Sequence, residues 1–210
     1  FMNYYNRNGK PVEMCGNGIR CTAEFYKKIA GLQGTSLKIN TRSGVKKIIC
    51  KKNHTYAVNM GSALFQSEDF PKRALKLHEL NLTCVSFGNP HAVAFMTDID
   101  KYPLETIGPL IEKNRHFPSG INVEIVEIIN RKTLKIRVWE RGSGLTLACG
   151  TGACAAFAIG YRDKKVDDTV QIFLPGGKLT MNMNKNGEVI MTGSVETIFE
   201  SNIKINCHPE

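Results

Sequence analysis

No stretch of this chain approaches the roughly 18 consecutive apolar residues that a membrane-crossing helix needs, so no helical span is encoded. The opening residues, Phe1-Met2-Asn3-Tyr4-Tyr5-Asn6-Arg7, lack the apolar centre of a secretory signal. They also lack an initiating methionine, and Met2 falls inside a strand-like run, so the start reads as the middle of a longer chain. Seven cysteines is an odd number, irregularly spaced and without an export signal. That argues against a disulfide framework and for a reducing, cytoplasmic setting. Cys15 and Cys21, like Cys149 and Cys154, lack the C-x₂₋₄-C form of structural zinc sites, so no metal is expected. Acidic residues are scarce, 19 against 28 Lys and Arg, which leaves a net charge of +9. The positive residues are nevertheless scattered in pairs such as Lys27-Lys28, Lys46-Lys47, Lys51-Lys52 and Lys164-Lys165, with no nucleic-acid-binding fingerprint beside them. A solvated basic surface is the reading, and neither nucleic acid nor membrane is an expected partner.

What is present suits a soluble globular protein: 210 residues, 42% hydrophobic and 22% charged, enough for one large domain or two small ones. A first helix is predicted from Cys15 or Gly16 through Lys28, stopped by Gly31, with Ile19, Ala23 and Tyr26 as its buried stripe. Short strands follow over Ser36–Asn40, Lys46–Lys51 and Thr55–Met60. The pattern loosens between Gly61 and Lys76, a crossing between halves. Strands resume at Leu82–Phe87 and Ala92–Met96, then a short helix near Leu104–Lys113 and a hairpin of Asn122–Ile129 with Thr133–Trp139. A second helix runs from Cys149 to about Tyr161 and is apolar almost all round, which requires burial on every side. Val170–Leu174, Lys178–Asn184, Val189–Thr192 and Val195–Phe199 complete the strands. The expected fold is α+β: two pseudo-symmetric halves, each a curled, mainly antiparallel sheet around a central helix. The halves divide as 1–60, truncated and completed by a last strand near 196–207, and 61–195.

Two stretches repeat one device. Met14-Cys15-Gly16-Asn17-Gly18 and Ala148-Cys149-Gly150-Thr151-Gly152 each set a cysteine before Gly-x-Gly and a helix-forming run, one copy in each half. A thiol at a helix N-terminus has its anion stabilised by free backbone N–H groups and the helix dipole. Inverting a carbon stereocentre by proton transfer needs a base on one face and an acid on the other, and two such thiols, one ionised and one protonated, supply both. The glycines let a substrate carboxylate approach the backbone N–H donors, which would also stabilise enolate-like charge. This is the signature of a cofactor-free racemase or epimerase. A single Cys-Gly-x-Gly would read as a buried cysteine at a tight turn; two in matched contexts do not. Cys21, Cys50, Cys84, Cys154 and Cys207 read instead as small core hydrophobes or tail.

Further motifs carry a resemblance. Asn6-x-x-Gly9, Glu13-Met-Cys-Gly-Asn-Gly-Ile-Arg-Cys21, Val58-Asn-Met-Gly61, Gly88-Asn-Pro-His-Ala-Val93 and Gly120-Ile-Asn-Val123 occur in order. Val138-Trp-Glu-Arg-Gly142, Leu147-Ala-Cys-Gly-Thr-Gly-Ala-Cys154, Pro175-Gly-Gly177 and Gly193 follow. Over nearly its whole length the chain resembles the diaminopimelate epimerases, pyridoxal-independent enzymes of lysine and peptidoglycan precursor synthesis that interconvert LL- and meso-diaminopimelate. The resemblance implies no cofactor and makes Cys15 and Cys149 the catalytic pair, the first acting on the LL isomer and the second on the meso. It implies that Gly16, Asn17, Gly150 and Thr151 hold the α-carboxylate, that Asn6, Asn89, Asn122, Glu140 and Arg141 grip the distal amino-acid end, and that His91 supports the reacting centre. It leaves a homodimer open, and it implies that the family's first strands precede this sequence, so that the first half is incomplete. Taken singly, Asn89-Pro90 reads as a turn, Glu140-Arg141 as a surface pair and His91 as a structural histidine. The alternatives are a related racemase with another substrate, an inactive fragment or binding module, and a redox protein, although redox dithiols normally stand in C-x-x-C. The PhzF-like isomerases lack the cysteine pair.

Overall fold

Short apolar–polar alternations broken by Gly, Asn and Pro make strand the commonest regular structure of this chain. The computed structural model describes residues 1–5, 9, 11–32 and 34–202. The first part holds β1 (Tyr4–Tyr5), β2 (Pro11–Val12), α1 (Gly16–Ile29), β3 (Ser36–Thr41), β4 (Gly44–Cys50) and β5 (Thr55–Gly61). Next come β6 (Leu75–Leu77), β7 (Leu80–Ser86), β8 (Pro90–Phe95), α2 (Leu104–Glu112), β9 (Asn122–Asn130), β10 (Thr133–Glu140) and β11 (Gly144–Thr146). The chain closes with α3 (Gly150–Arg162), β12 (Thr169–Leu174), β13 (Gly177–Met183) and β14 (Val189–Ser194).

β1 and β2 form a separate ribbon, and the other strands make one 12-stranded mixed sheet in the order β3-β4-β5-β14-β13-β12-β10-β9-β8-β7-β6, with β11 on β10. Pairing is mostly antiparallel; β8–β9 and β10–β12 are parallel. The expected α+β class is what forms. β14 lies antiparallel to β5, so the strands of the first 60 residues continue into the sheet of the rest.

That sheet curls around α3, which meets β7, β8, β9, β13 and β14. Every residue from Gly150 through Gly160 is buried, which is why the helix is Ala-, Phe- and Ile-rich on all sides. α1 is enclosed less completely. It packs on β3, β5 and α3. Ile19 and Ala23 are fully buried, whereas Tyr26 is 49% exposed, so the expected stripe stops one turn early. Gly31 follows the helix with a φ of +59°, the left-handed conformation that lets the chain leave it. One apolar cluster runs from Ile19 and Met60 through Phe157 to Met191, and a second packs Leu104 and Ile111 of α2 on Ile125.

The expected strand over Val195–Phe199 does not form. The Val195 N–H makes a last bond to the His54 carbonyl (2.9 Å). There its partner strand has already turned, at Asn53 and His54 with positive φ. Among the described residues Ile198 and Phe199 are left 89% and 80% exposed. The part of that expectation over 203–207 lies outside the described residues. β6 and β11 were not anticipated, being too short to show a period.

Candidate active site

Each long helix starts on its cysteine. Cys15 and Cys149 are the N-caps of α1 and α3, with nearly identical extended backbones (φ −130°, ψ 114° and φ −123°, ψ 113°). The Gly18 N–H donates to Cys15 Sγ at 3.3 Å, and the Gly152 N–H to Cys149 Sγ at 3.4 Å. Sulfur thus takes the place usually held by a capping Ser or Asp oxygen. The two helix starts abut through glycine. A Cβ on Gly16 would stand 3.0 Å from the Gly150 Cα, and one on Gly150 would stand 2.9 Å from the Gly16 Cα. Asn17 ties the two starts together, donating from Nδ2 to the Ala148 carbonyl (3.3 Å).

A cleft of about 230 Å³ opens over this junction, small against the roughly 300 Å³ at which drug-sized sites begin. Cys15, Gly16, Asn17, Asn89, Asn122, Glu140, Arg141, Cys149, Gly150 and Thr151 all line it. These are ten of the expected site residues; Asn6 lies outside the described residues. His91 lies behind the wall rather than on it, fully buried. Its Nε2 faces Asn89 Oδ1 at 3.1 Å. The Asn122 amide is already engaged, donating to the Pro90 carbonyl (2.8 Å) and accepting from the Arg141 N–H (2.9 Å). That fixes the backbone from which the Arg141 guanidinium projects. Arg141 Nη1 donates to the Ser119 carbonyl (3.2 Å).

Burial dominates the electrostatics. It pushes the Cys149 thiol well above its ordinary range, reinforced by the Glu140 carboxylate and only partly opposed by Thr151 and the Gly152 N–H. Burial thus outweighs the helix N-terminus at this thiol. Burial favours the protonated thiol over the thiolate at Cys149. Burial likewise raises the Glu140 carboxyl, while the Thr146 hydroxyl, donating at 2.6 Å, lowers it. Tyr4, on the opposite wall, has its phenol pushed up to about 12, first by the charge of Cys15 and then by burial.

A model of the diaminopimelate epimerase family matches residues 1–66 and 83–198. The chain is 40% identical over 225 residues to a diaminopimelate epimerase of Bacillus licheniformis, covering 98% of this chain and 78% of that one. The chain belongs to the diaminopimelate epimerase family. It is accordingly an isomerase, and the family extends to a Methanococcus maripaludis epimerase 38% identical to it, with 97% of this chain and 79% of that one aligned. Among solved structures, a probable proline racemase from Agrobacterium radiobacter superposes with a TM-score of 0.73 at 14% identity, over 96% of this chain and 70% of that chain. At that identity the fold alone is shared.

Four residues of the site escaped the reading of the sequence. Tyr4 lines the cleft. Cys21, read as a core hydrophobe, is exposed and also reaches the cleft, because it faces away from Ile19 and Ala23. Arg20 is buried beneath the junction, donating to the Gly16 carbonyl and to Asn17 Oδ1, both at 3.1 Å. Gly193 makes room for it, since a Cβ there would lie 3.0 Å from the guanidinium carbon. A charge inside the otherwise apolar Ile19–Ala23 stripe was its available signal. Glu124, fully buried against His91, is the fourth; two residues beyond Asn122 in β9, it shares that residue's face of the strand.

Alkylation tests the state of Cys149. In a C15S variant at pH 7 to 8, iodoacetamide should label Cys149 slowly, with a rate that keeps climbing through pH 9, when followed by peptide mass spectrometry. A rate that levels off near pH 7 would mean the helix N-terminus outweighs burial.

Proposed function

We propose that the chain is a cofactor-independent epimerase interconverting LL- and meso-diaminopimelate by proton transfer between two thiols across one α-carbon. The observation that carries this is the pair of N-cap cysteines on abutting helix starts, opening on a single cleft. Cys15, as thiolate, takes the α-proton from one face. The electron pair spreads into the α-carboxylate, where N–H groups at the two helix starts around Gly16–Asn17 and Gly150–Thr151 receive the developing charge. Cys149, held as a thiol by burial, delivers its proton to the other face and becomes the thiolate. Every bond broken is matched by one formed, and the reverse reaction begins from that second state.

Arg141 and Glu140 suit the far end of a two-ended amino acid, the guanidinium pairing with a carboxylate and the carboxylate with an ammonium group. The two-half division at about residue 60 fits this chemistry, since each half contributes one thiol and the substrate joins them. A substrate with a single zwitterionic end would leave the half-buried Glu140 without a partner charge.

Deuterium exchange tests the reading. In D₂O the reduced, full-length enzyme should convert LL-diaminopimelate into meso product carrying solvent deuterium, while substrate recovered at low conversion keeps its protium. Turnover of proline in place of diaminopimelate would overturn the two-ended substrate. Deuterium appearing equally in recovered substrate and product would overturn the two-base mechanism.

A further inference from the structure

From behind the cleft a chain of polar groups runs forward to its wall and ends on Cys149. His91 Nδ1 meets Glu124 Oε1 at 2.7 Å, both side chains fully buried. His91 Nε2 meets Asn89 Oδ1 at 3.1 Å. Asn89 Nδ2 donates to Thr151 Oγ1 at 3.3 Å, and Thr151 Oγ1 lies 3.5 Å from Cys149 Sγ. Gly152 leaves room for this arrangement, because a Cβ there would stand 2.5 Å from Glu124 Oε1.

Hydrogen bonds in such a chain have a direction, and each link constrains the next. Asn89 gives its N–H to Thr151, so its carbonyl oxygen faces His91, and Nε2 must carry the proton that bridges them. A neutral imidazole protonated on Nε2 has an acceptor at Nδ1. The group facing that acceptor must then be a donor, and a carboxyl donates only when protonated. The second oxygen agrees: Glu124 Oε2 is buried with no hydrogen-bond partner among the described residues. Such a site is costly for half of a carboxylate charge and far less so for the carbonyl oxygen of a neutral acid. Burial pushes the Glu124 carboxyl upward as well, against the pull of His91. At the other end, Thr151 accepts from Asn89 and so keeps its own O–H free for the Cys149 sulfur.

We propose that Glu124 is a positioning residue, a neutral carboxylic acid whose proton fixes the His91 tautomer and so aims the Thr151 hydroxyl at Cys149. Glu124 O–H donates to His91 Nδ1, His91 Nε2–H to Asn89, Asn89 N–H to Thr151, and Thr151 O–H to sulfur. An ionised Glu124 with an Nδ1–H imidazole would reverse the first link. Nε2 would become an acceptor, the Asn89 amide would turn over, and Thr151 would donate to Asn89 instead of to Cys149. The thiolate that Cys149 becomes in each turnover would then lose a donor and gain a like charge behind it.

This role rests on the two-thiol reading, yet its first test needs no substrate. Nitrogen NMR of protein labelled in its histidines, with the His91 signals identified by their loss in H91N, should show the Nε2–H tautomer unchanged from pH 6 to 9. An imidazolium or an Nδ1–H tautomer at His91 overturns the proposal even if the enzyme epimerises diaminopimelate. The second test compares E124Q with E124M. Gln donates to Nδ1 as the neutral acid does, and should keep the tautomer and hold kcat within about threefold. Met gives no donor and should lower kcat by about tenfold or more with little change in KM, the scale expected for a lost hydrogen bond to a charged group. If E124Q falls as far as E124M while both stay folded, Glu124 acts as a carboxylate and the proposal is wrong. It is equally wrong if E124M matches the wild type.

Discussion

Replacing Cys149 with serine is expected to slow LL-to-meso interconversion by about a thousandfold, within the range assigned to a single positioned acid or base. Serine fits the N-cap, where its oxygen accepts the Gly152 N–H that sulfur accepts now, so the helix start should persist. The chemistry does not persist. A hydroxyl is a far weaker acid than a thiol, and its anion is inaccessible near neutral pH. Both directions must fall together, because the ratio of their kcat/KM values is set by the substrate equilibrium and not by the enzyme. The two faces separate only in exchange. C149S retains Cys15 and should wash solvent deuterium into LL-diaminopimelate with retention, whereas C15S should do so with the meso isomer. Chiral chromatography with mass detection reads both products. A C149S enzyme that still interconverts the isomers at more than a tenth of the native rate would remove Cys149 from the reaction.

The features of this site that were legible in the sequence are those governed by local rules. A cysteine followed by Gly-x-Gly and a helix-forming run is a cap, and a cap is decided within about one turn. Cys15 and Cys149 could therefore be placed at helix starts before any tertiary contact was known. The Ala-Cys-Ala-Ala-Phe-Ala-Ile run similarly required a helix buried on all sides, and the curled sheet around α3 meets that requirement. Properties that depend on what packs behind a residue were not legible. The cap that stabilises a Cys149 thiolate is visible in the chain, but the burial and the Glu140 carboxylate that oppose it arrive only with tertiary packing. Glu124 meets His91 because β8 and β9 run parallel, with His91 opposite Asn122 and Val93 opposite Glu124, a register no local pattern states. Tyr26 illustrates the reverse error: helical spacing gave it a buried position, but α1 packs on β3, β5 and α3 and leaves Tyr26 about half exposed.

Alanine at Gly150 should cost about 1–2 kcal/mol of stability and most of the activity. In a helix the exchange of Gly for Ala is ordinarily favourable by up to about 1 kcal/mol. Here the added methyl would stand 2.9 Å from the Gly16 Cα and 3.1 Å from Met191 Sδ. The methionine side chain can swing away, but the α1 backbone cannot, since Gly16 is pinned through its carbonyl by Arg20 and its neighbour Asn17 is bonded to Ala148. Overpacking of this kind costs about 1–3 kcal/mol, so the balance should be a loss of about 1–2 kcal/mol. For a chain of this size that is a fall in Tm of several degrees, about 2–4 °C for each kcal/mol. The clash relaxes by separating the two helix starts, which carry the two thiols. A displacement of about 1 Å at a reacting centre costs about a hundredfold in rate. G150A should therefore remain folded and lose about that much of its kcat. Gly34, whose added methyl would meet nothing closer than the Ser36 carbonyl at 3.8 Å, provides the control, and G34A should leave both measurements unchanged. If G150A melts several degrees lower but turns over at the native rate, the distance between the helix starts does not set the reaction geometry. If it neither melts lower nor slows, the helix starts do not abut as tightly as Gly16 and Gly150 require.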